Sequence, residues 1–142
     1  MKTSIFLLIF CAFVWGCKPE PHPINYGKDL CEFCSMTIMD EKFGAELMNS
    51  KGKFFKFDSD ECMMNYLKEN RQLTIASYLV TNYTQTGVLI DATKAYFVHG
   101  GDVDSPMGGQ LASFNNKQDA EKFQQEKKAD LLTWTQLQSI DF

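Results

Sequence analysis

Sulfur is the chemistry-bearing element of this chain. Cys31-Glu32-Phe33-Cys34-Ser35-Met36 sets two thiols two residues apart with a thioether close behind. Cys62-Met63-Met64 follows later, and Met107 lies in Ser105-Pro106-Met107-Gly108-Gly109. Thiolate and thioether are soft, polarizable ligands, and together they select Cu(I) among the biologically available metals. Cys31 and Cys34 can converge on one ion, with Met36 only two residues further on. A Met in a Gly-rich loop has no core to fill, and Gly108 and Gly109 permit the close backbone approach that would bring Met107 to a metal held elsewhere. Cys62 sits on a predicted helix, where it suits either a ligand or a buried thiol, and Met63 beside it is an ordinary core filler. Met39 and Met48 read as packing.

The same residues fit other chemistries. A Cys-x-x-Cys pair outside the cytosol is often a disulfide or a redox pair. The redox reading expects the pair to open a helix after a strand, where the dipole lowers the thiol pKa, and no strand is predicted before Cys31. Structural zinc needs four Cys or His ligands. The chain has two His, His22 in a Pro-rich stretch that reads as solvated and His99 at the end of a predicted strand, so zinc is the weaker reading.

These residues must be carried by a small domain. The chain has 142 residues with a net charge of −4, and twelve Phe are enough to build a core. The acidic balance, without clustered Lys and Arg, argues against nucleic acid as a partner. Residues 1–16 read as a lipoprotein signal peptide: Met1-Lys2 is a positive start, and Ile5 to Val14 is an apolar run too short to span a bilayer. Val14-Trp15-Gly16-Cys17 follows as a lipobox in which Cys17 is the lipidation site. Cys11 then leaves with the leader, and Cys31, Cys34 and Cys62 are the remaining thiols. Residues 17–28, with Pro19, Pro21 and Pro23, form an extended lipid-anchored tether.

Residues 29–142 read as an α+β domain of two packed ββαβ units, about 29–84 and 88–142. Phe43 to Met48 and Lys53 to Phe57 are strands around an Asn49-Ser50-Lys51-Gly52 turn. Asp58-x-x-Glu61 opens a helix, with Asp58 as its cap, that runs to about Asn70. Thr74 to Tyr83 is the next strand. The order repeats with strands Ala95 to His99 and Gln110 to Phe114, a helix capped by Asn115-Asn116 and running to about Lys127, and a closing strand Leu131 to Trp134. An internal duplication is the expectation, with the two units burying each other's surfaces.

At this level of detail the chain resembles the NosL family, copper-binding lipoproteins of the bacterial nitrous oxide reductase system. The residues that carry the resemblance are Cys17, Asp29-x-Cys31-x-x-Cys34-x-Met36, Phe43-Gly44-Ala45 and Lys51-Gly52-Lys53. They continue as Phe57-Asp58-x-x-x-Cys62-Met63-x-x-Tyr66-Leu67, Asp91-Ala92-x-Lys94-Ala95-x-Phe97, and Ser105-Pro106-Met107-Gly108 before Phe114. The resemblance implies a pair of ββαβ units similar to a domain of organomercurial lyase. It implies a protein that is not an enzyme but a metallochaperone, which binds one Cu(I) and passes it toward nitrous oxide reductase and its ABC-type maturation complex. It places the ligands on Cys34, Met36 and Met107, with Cys31 as an extra ligand or a disulfide partner of Cys34. It puts the protein in the cell envelope, anchored through acylated Cys17 with the domain facing the periplasm. The alternative is a thiol-disulfide oxidoreductase or an organomercurial-lyase-like thiol enzyme using Cys31 and Cys34, with Asp29 or Glu32 nearby as the acid. Met107 has no role in either enzyme.

Overall fold

The computed structural model describes residues 21–142. The expected leader and the expected lipidation site Cys17 lie outside the described residues. Two antiparallel sheets form the frame. The first contains β1 (Ala45–Asn49), β2 (Phe54–Phe57), β3 (Ile75–Thr81) and β4 (Leu89–Asp91) in the order β2-β1-β3-β4. The second contains β5 (Tyr96–His99), β6 (Leu111–Phe114) and β7 (Asp130–Thr133) in the order β6-β5-β7. Helix α1 (Asp60–Glu69) connects β2 to β3, and α2 (Lys117–Lys127) connects β6 to β7. In each half the first strand is therefore central, the second is at one edge and the strand after the helix pairs on the other side. This shared topology is the duplicated ββαβ arrangement expected from the sequence.

Local chemistry explains the elements. Asn49 closes the first hairpin: its backbone N–H donates to Lys53 O at 3.0 Å, and its side-chain oxygen accepts from the amides of Lys51 and Lys53. Gly52, at φ +80, supplies the left-handed residue that the turn requires. The cap of α1 is Ser59 rather than Asp58. Ser59 takes the extended conformation and its side chain accepts from the Cys62 amide at 3.3 Å, while the Asp58 carboxylate is turned back to the Met39 amide. Asn116 caps α2 as expected, accepting from the Asp119 amide. The closing strand ends at Thr133, and Trp134 opens a short helix α3 (Trp134–Leu137) secured by a Thr133–Gln136 capping box. Strand β4 was not anticipated. It falls in the second half of the sequence yet adds to the first sheet.

The halves meet along a mixed seam. Asn82, just past β3, forms a parallel bridge with Ser113 of β6, and the Tyr83 amide donates to Ser113 O at 2.8 Å. The main core joins Phe55, Phe57, Met63 and Val80 from the first half to Phe97, Leu111 and Leu137 from the second. A smaller core packs Phe43 of the first half with Val98, Ala112 and Phe114 of the second. Neither half closes its apolar surface alone.

Residues 21–28 lie against the first sheet. Ile24 is buried, the exposed His22 stacks on Phe54 with ring centroids 5.0 Å apart, and Lys56 Nζ donates to Pro23 O at 2.8 Å. The second part of the expected tether is thus packed onto the domain. Among the described residues no helix is long and apolar enough to cross a membrane.

Candidate metal centre

The Cys31–Met36 segment is a tight loop laid on the edge of β2. Leu30 and Thr37 form an antiparallel bridge at its base, the Cys31 amide donates to Met36 O at 2.8 Å, and the Ser35 amide donates to Cys31 O at 2.9 Å. Ser35 adopts φ 61, a left-handed conformation uncommon for a residue with a side chain. The Glu32 amide donates to Lys56 O at 2.8 Å, and Lys56 Nζ pairs with Asp29 at 2.6 Å. The N-terminal side of the loop is therefore held to β2, the strand that leads into α1, and the Leu30–Thr37 bridge holds its other end to the first.

The first turn of α1 brings up the third thiol. Ser59 fixes the Cys62 amide, and the chain reverses so that Cys62 faces the loop. The sulfurs of Cys31, Cys34 and Cys62 lie within 4.8 Å of one another, and all three are free thiols. Cys31 and Cys62 are buried and Cys34 is half-buried, so the cluster opens on the Cys34 side. The structure thus brings Cys62, a lesser candidate from sequence, into contact with the two leading thiols. The signal available was the strand–helix junction Phe57-Asp58, which sets the first turn of α1 beside β2, the strand that carries the loop.

Electrostatics within the cluster are uneven. The Cys62 S–H donates to the Cys31 sulfur, and the amides of Cys34, Asp58 and Phe33 add further donors; against the cost of burial they bring the Cys31 thiol down to about 5. The same hydrogen bond, with burial added, pushes the Cys62 thiol up. Burial also raises Cys34, partly offset by the Met36 amide. The Cys31-x-x-Cys34 pair occupies turns and opens no helix, so it lacks the dipole setting of a redox pair.

The thioethers divide. Met36, Met39 and Met107 are 55%, 67% and 39% exposed, whereas Met48, Met63 and Met64 are core. The expectation that Met39 packs is corrected: its amide is used by Asp58, and its side chain faces solvent. Met36 stands two residues beyond Cys34 on the same loop. Met107 comes from the second half, at the tip of a turn closed by the Gly108 amide donating to Ser105 O at 3.0 Å. His99 is edge-on to Phe142, with centroids 5.5 Å apart, in a packing role. A surface cavity of about 340 Å³ is lined by Met64, Leu67, Lys68, Arg71 and Tyr78 among others and by none of the three thiols.

Buried acids surround the thiol helix, and the sequence reading did not identify them as such. Asp60 accepts from the Ser113 hydroxyl, and Glu61 accepts from the Ser105 hydroxyl, each across the seam between the halves. Burial holds the Asp60 carboxyl well above its ordinary range and raises Asp58 and Glu46 as well.

The NosL family model matches residues 23–140, nearly the whole described chain. The chain belongs to the NosL family. Among relatives, it is 35% identical over 103 residues to the copper-binding lipoprotein NosL of Stutzerimonas stutzeri, an alignment covering 67% of this chain and 54% of that protein. The chain thus matches about half the length of this relative. In fold it is similar to the crystal structure of the copper chaperone NosL from Shewanella denitrificans. The TM-score is 0.74 at 21% sequence identity, with 84% of this chain and 96% of that one covered. Both relatives are named as copper proteins and neither as an enzyme. NosL membership and the NosL-like fold agree with the α+β arrangement of two sheets described above.

Proposed function

We propose that this protein is a metallochaperone whose cargo is Cu(I). The observation that carries the reading is the convergence of three thiols within 4.8 Å at a mouth opened by Cys34. An ion bound to thiolates at about 2.3 Å in a trigonal plane needs sulfurs about 4 Å apart, which this spacing accommodates. Soft donors with no hard oxygen or imidazole among them favour Cu(I) over Cu(II), and three thiols fall short of the four Cys or His ligands of a structural zinc site. The names of the relatives support copper as the cargo.

The burial gradient gives the mechanism. Cys31 and Cys62 form the inner side of the site and Cys34 the outer side, where the Met36 and Met107 thioethers would join it as further ligands. An acceptor thiolate or thioether adds to the ion at the outer side while inner ligands still hold it, and the ion passes through a shared-ligand intermediate without release. Lipid anchoring through Cys17 would keep this exchange at an envelope membrane, facing the periplasm. The client we propose is the copper centres of nitrous oxide reductase, reached with an ABC-type maturation complex.

Cu(I) titration of the reduced protein against a chromogenic chelator tests the site. One tightly held ion is expected, with a loss of about 100-fold or more in Cys34→Ser, beyond what a supporting residue costs. Unchanged affinity in that variant removes the assignment. The client is tested in a nitrous-oxide-respiring host: deletion of this gene is expected to leave the reductase short of copper, and a fully metallated reductase would exclude that role. Cys17→Ala is expected to move the protein from the membrane to the soluble fraction.

A further inference from the structure

A buried carboxylic acid beside a metal-binding thiol calls for a physical reason, and Glu61 has one that copper ligation alone does not use. It immediately precedes Cys62, is 2% exposed, and sits in the first turn of α1. One carboxyl oxygen accepts from the hydroxyl of Ser105, itself buried, which begins the turn bearing Met107. The other end of that turn rests on the same side chain. A Cβ built on Gly109 would fall 2.1 Å from Glu61 Cγ and 2.7 Å from Oε1, so the backbone lies flush against the acid. Val103 and Leu111 are buried on either side of the turn, yet Met107 between them remains 39% exposed.

We propose that Glu61 is the positioning residue of the copper site, clamping the Ser105–Gly109 turn to the helix that carries Cys62 and so holding the Met107 thioether within reach of the thiols. Two residues of chain separate Met107 from the clamped Gly109, about 7 Å at full extension, and one peptide bond separates Glu61 from Cys62. A single side chain thus ties the thioether of the second half to the thiols of the first. The carboxyl accepts the Ser105 hydroxyl at Oε1 while its stem forms the floor for a glycine; its Oε2 is buried without a hydrogen-bond partner, and an apolar side chain would leave Ser105 without its own. This inference rests on the copper reading and names a residue outside its ligand set.

The test is a double-mutant cycle on the full-length reduced protein, read as Cu(I) affinity by chelator competition and as sulfur ligation by X-ray absorption. Glu61→Ala is expected to lower affinity about tenfold and remove the thioether contribution, in the range for residues that orient ligands. Glu61→Gln, which keeps an acceptor and the side-chain volume, is expected to restore both. In a Met107→Leu background, Glu61→Ala should cost less than about twofold, because the thioether it positions is gone. Gly109→Ala reaches the same contact from the other side and keeps the test open if Glu61→Ala folds poorly; its loss should also vanish in the Met107→Leu background. Equal losses in both backgrounds would overturn the proposal, as would full affinity in Glu61→Ala. If Met107→Leu alone changes neither affinity nor sulfur ligation, the clamp has nothing to position and is overturned, while the Cys34→Ser result still decides the copper reading.

Discussion

The hydrogen bond between Cys31 and Cys62 acts oppositely on the two thiols, lowering the first and raising the second. The Cys31 thiol is depressed to about 5 by the Cys62 S–H and three backbone amides, and Cys62 is raised by the same bond. The linkage follows from the sign. A group whose folded pKa is depressed contributes stability that is fully present above its unfolded pKa, near 8.5 to 9, and that is lost as pH falls through about 5. Cys31 is therefore expected to contribute a rise in stability with pH between about 5.5 and 8.5, by at most about 1.4 kcal/mol per pH unit for one proton, against the opposite contribution of the raised Asp60 carboxyl. Cys31→Ser should flatten that slope in urea melts, and an unchanged slope would contradict the assignment. At this scale the sequence was only partly legible. Cys31 and Cys34 were visible because two residues of loop bring thiols together by covalent necessity. Cys62 was only a lesser candidate, because the junction Phe57-Asp58 marks where the chain reverses between β2 and α1 but not which side of the helix meets the loop. Glu61 was legible only as part of the Asp58-x-x-Glu61 capping pattern and Asp60 carried no signal; contacts with Ser105 and Ser113 of the second half are what bury them.

Elements set how firmly the thiols are held. Ser59, rather than Asp58, caps α1, and the amide it satisfies is that of Cys62. Ser59→Ala is expected to cost about 1 kcal/mol of unfolding free energy by chemical denaturation. Because the lost bond fixes a ligand's backbone, Cu(I) affinity should fall a few-fold in the same variant. At the far end of the other helix the situation is reversed. Lys128 ends α2 in the left-handed region at φ 52, where a side chain is strained and a glycine is not. Lys128→Gly is expected to raise stability by about 0.5 to 1 kcal/mol and leave copper affinity unchanged, since α2 carries none of the proposed ligands. Strands and helices with an apolar period and a capping residue were readable from sequence to within a residue or two. The exceptions have a common cause. β4 has only three residues, and α3 only four, too few to show a period, and both exist because a neighbouring strand or core accepts them.

The whole molecule behaves as one cooperative unit if its two cores are as shared as their composition indicates. Leu111 and Leu137 complete the core of the first half, and Phe43 completes that of the second. Trp134 of the second half packs on Tyr78 of the first at 5.2 Å between centroids, so its fluorescence reports the contact between them. Urea unfolding of residues 21–142 followed by Trp134 emission and by far-UV circular dichroism is expected to give coincident transitions, and separated midpoints would mean that the halves fold independently. The duplication was legible as a repeated order of elements. The seam was not, because the pairs Ser105–Glu61 and Ser113–Asp60 that stitch it are far apart in sequence and meet only when the halves are docked. That docking has a calorimetric consequence. The thiols of Cys31, Cys34 and Cys62 are gathered by strands, caps and cores that form on folding, so the ordering of the ligands is complete before any ion arrives. Loading should then bury almost no new apolar surface. Isothermal titration at several temperatures is expected to return a heat-capacity change near zero, in contrast to the large negative value of a site that folds around its metal.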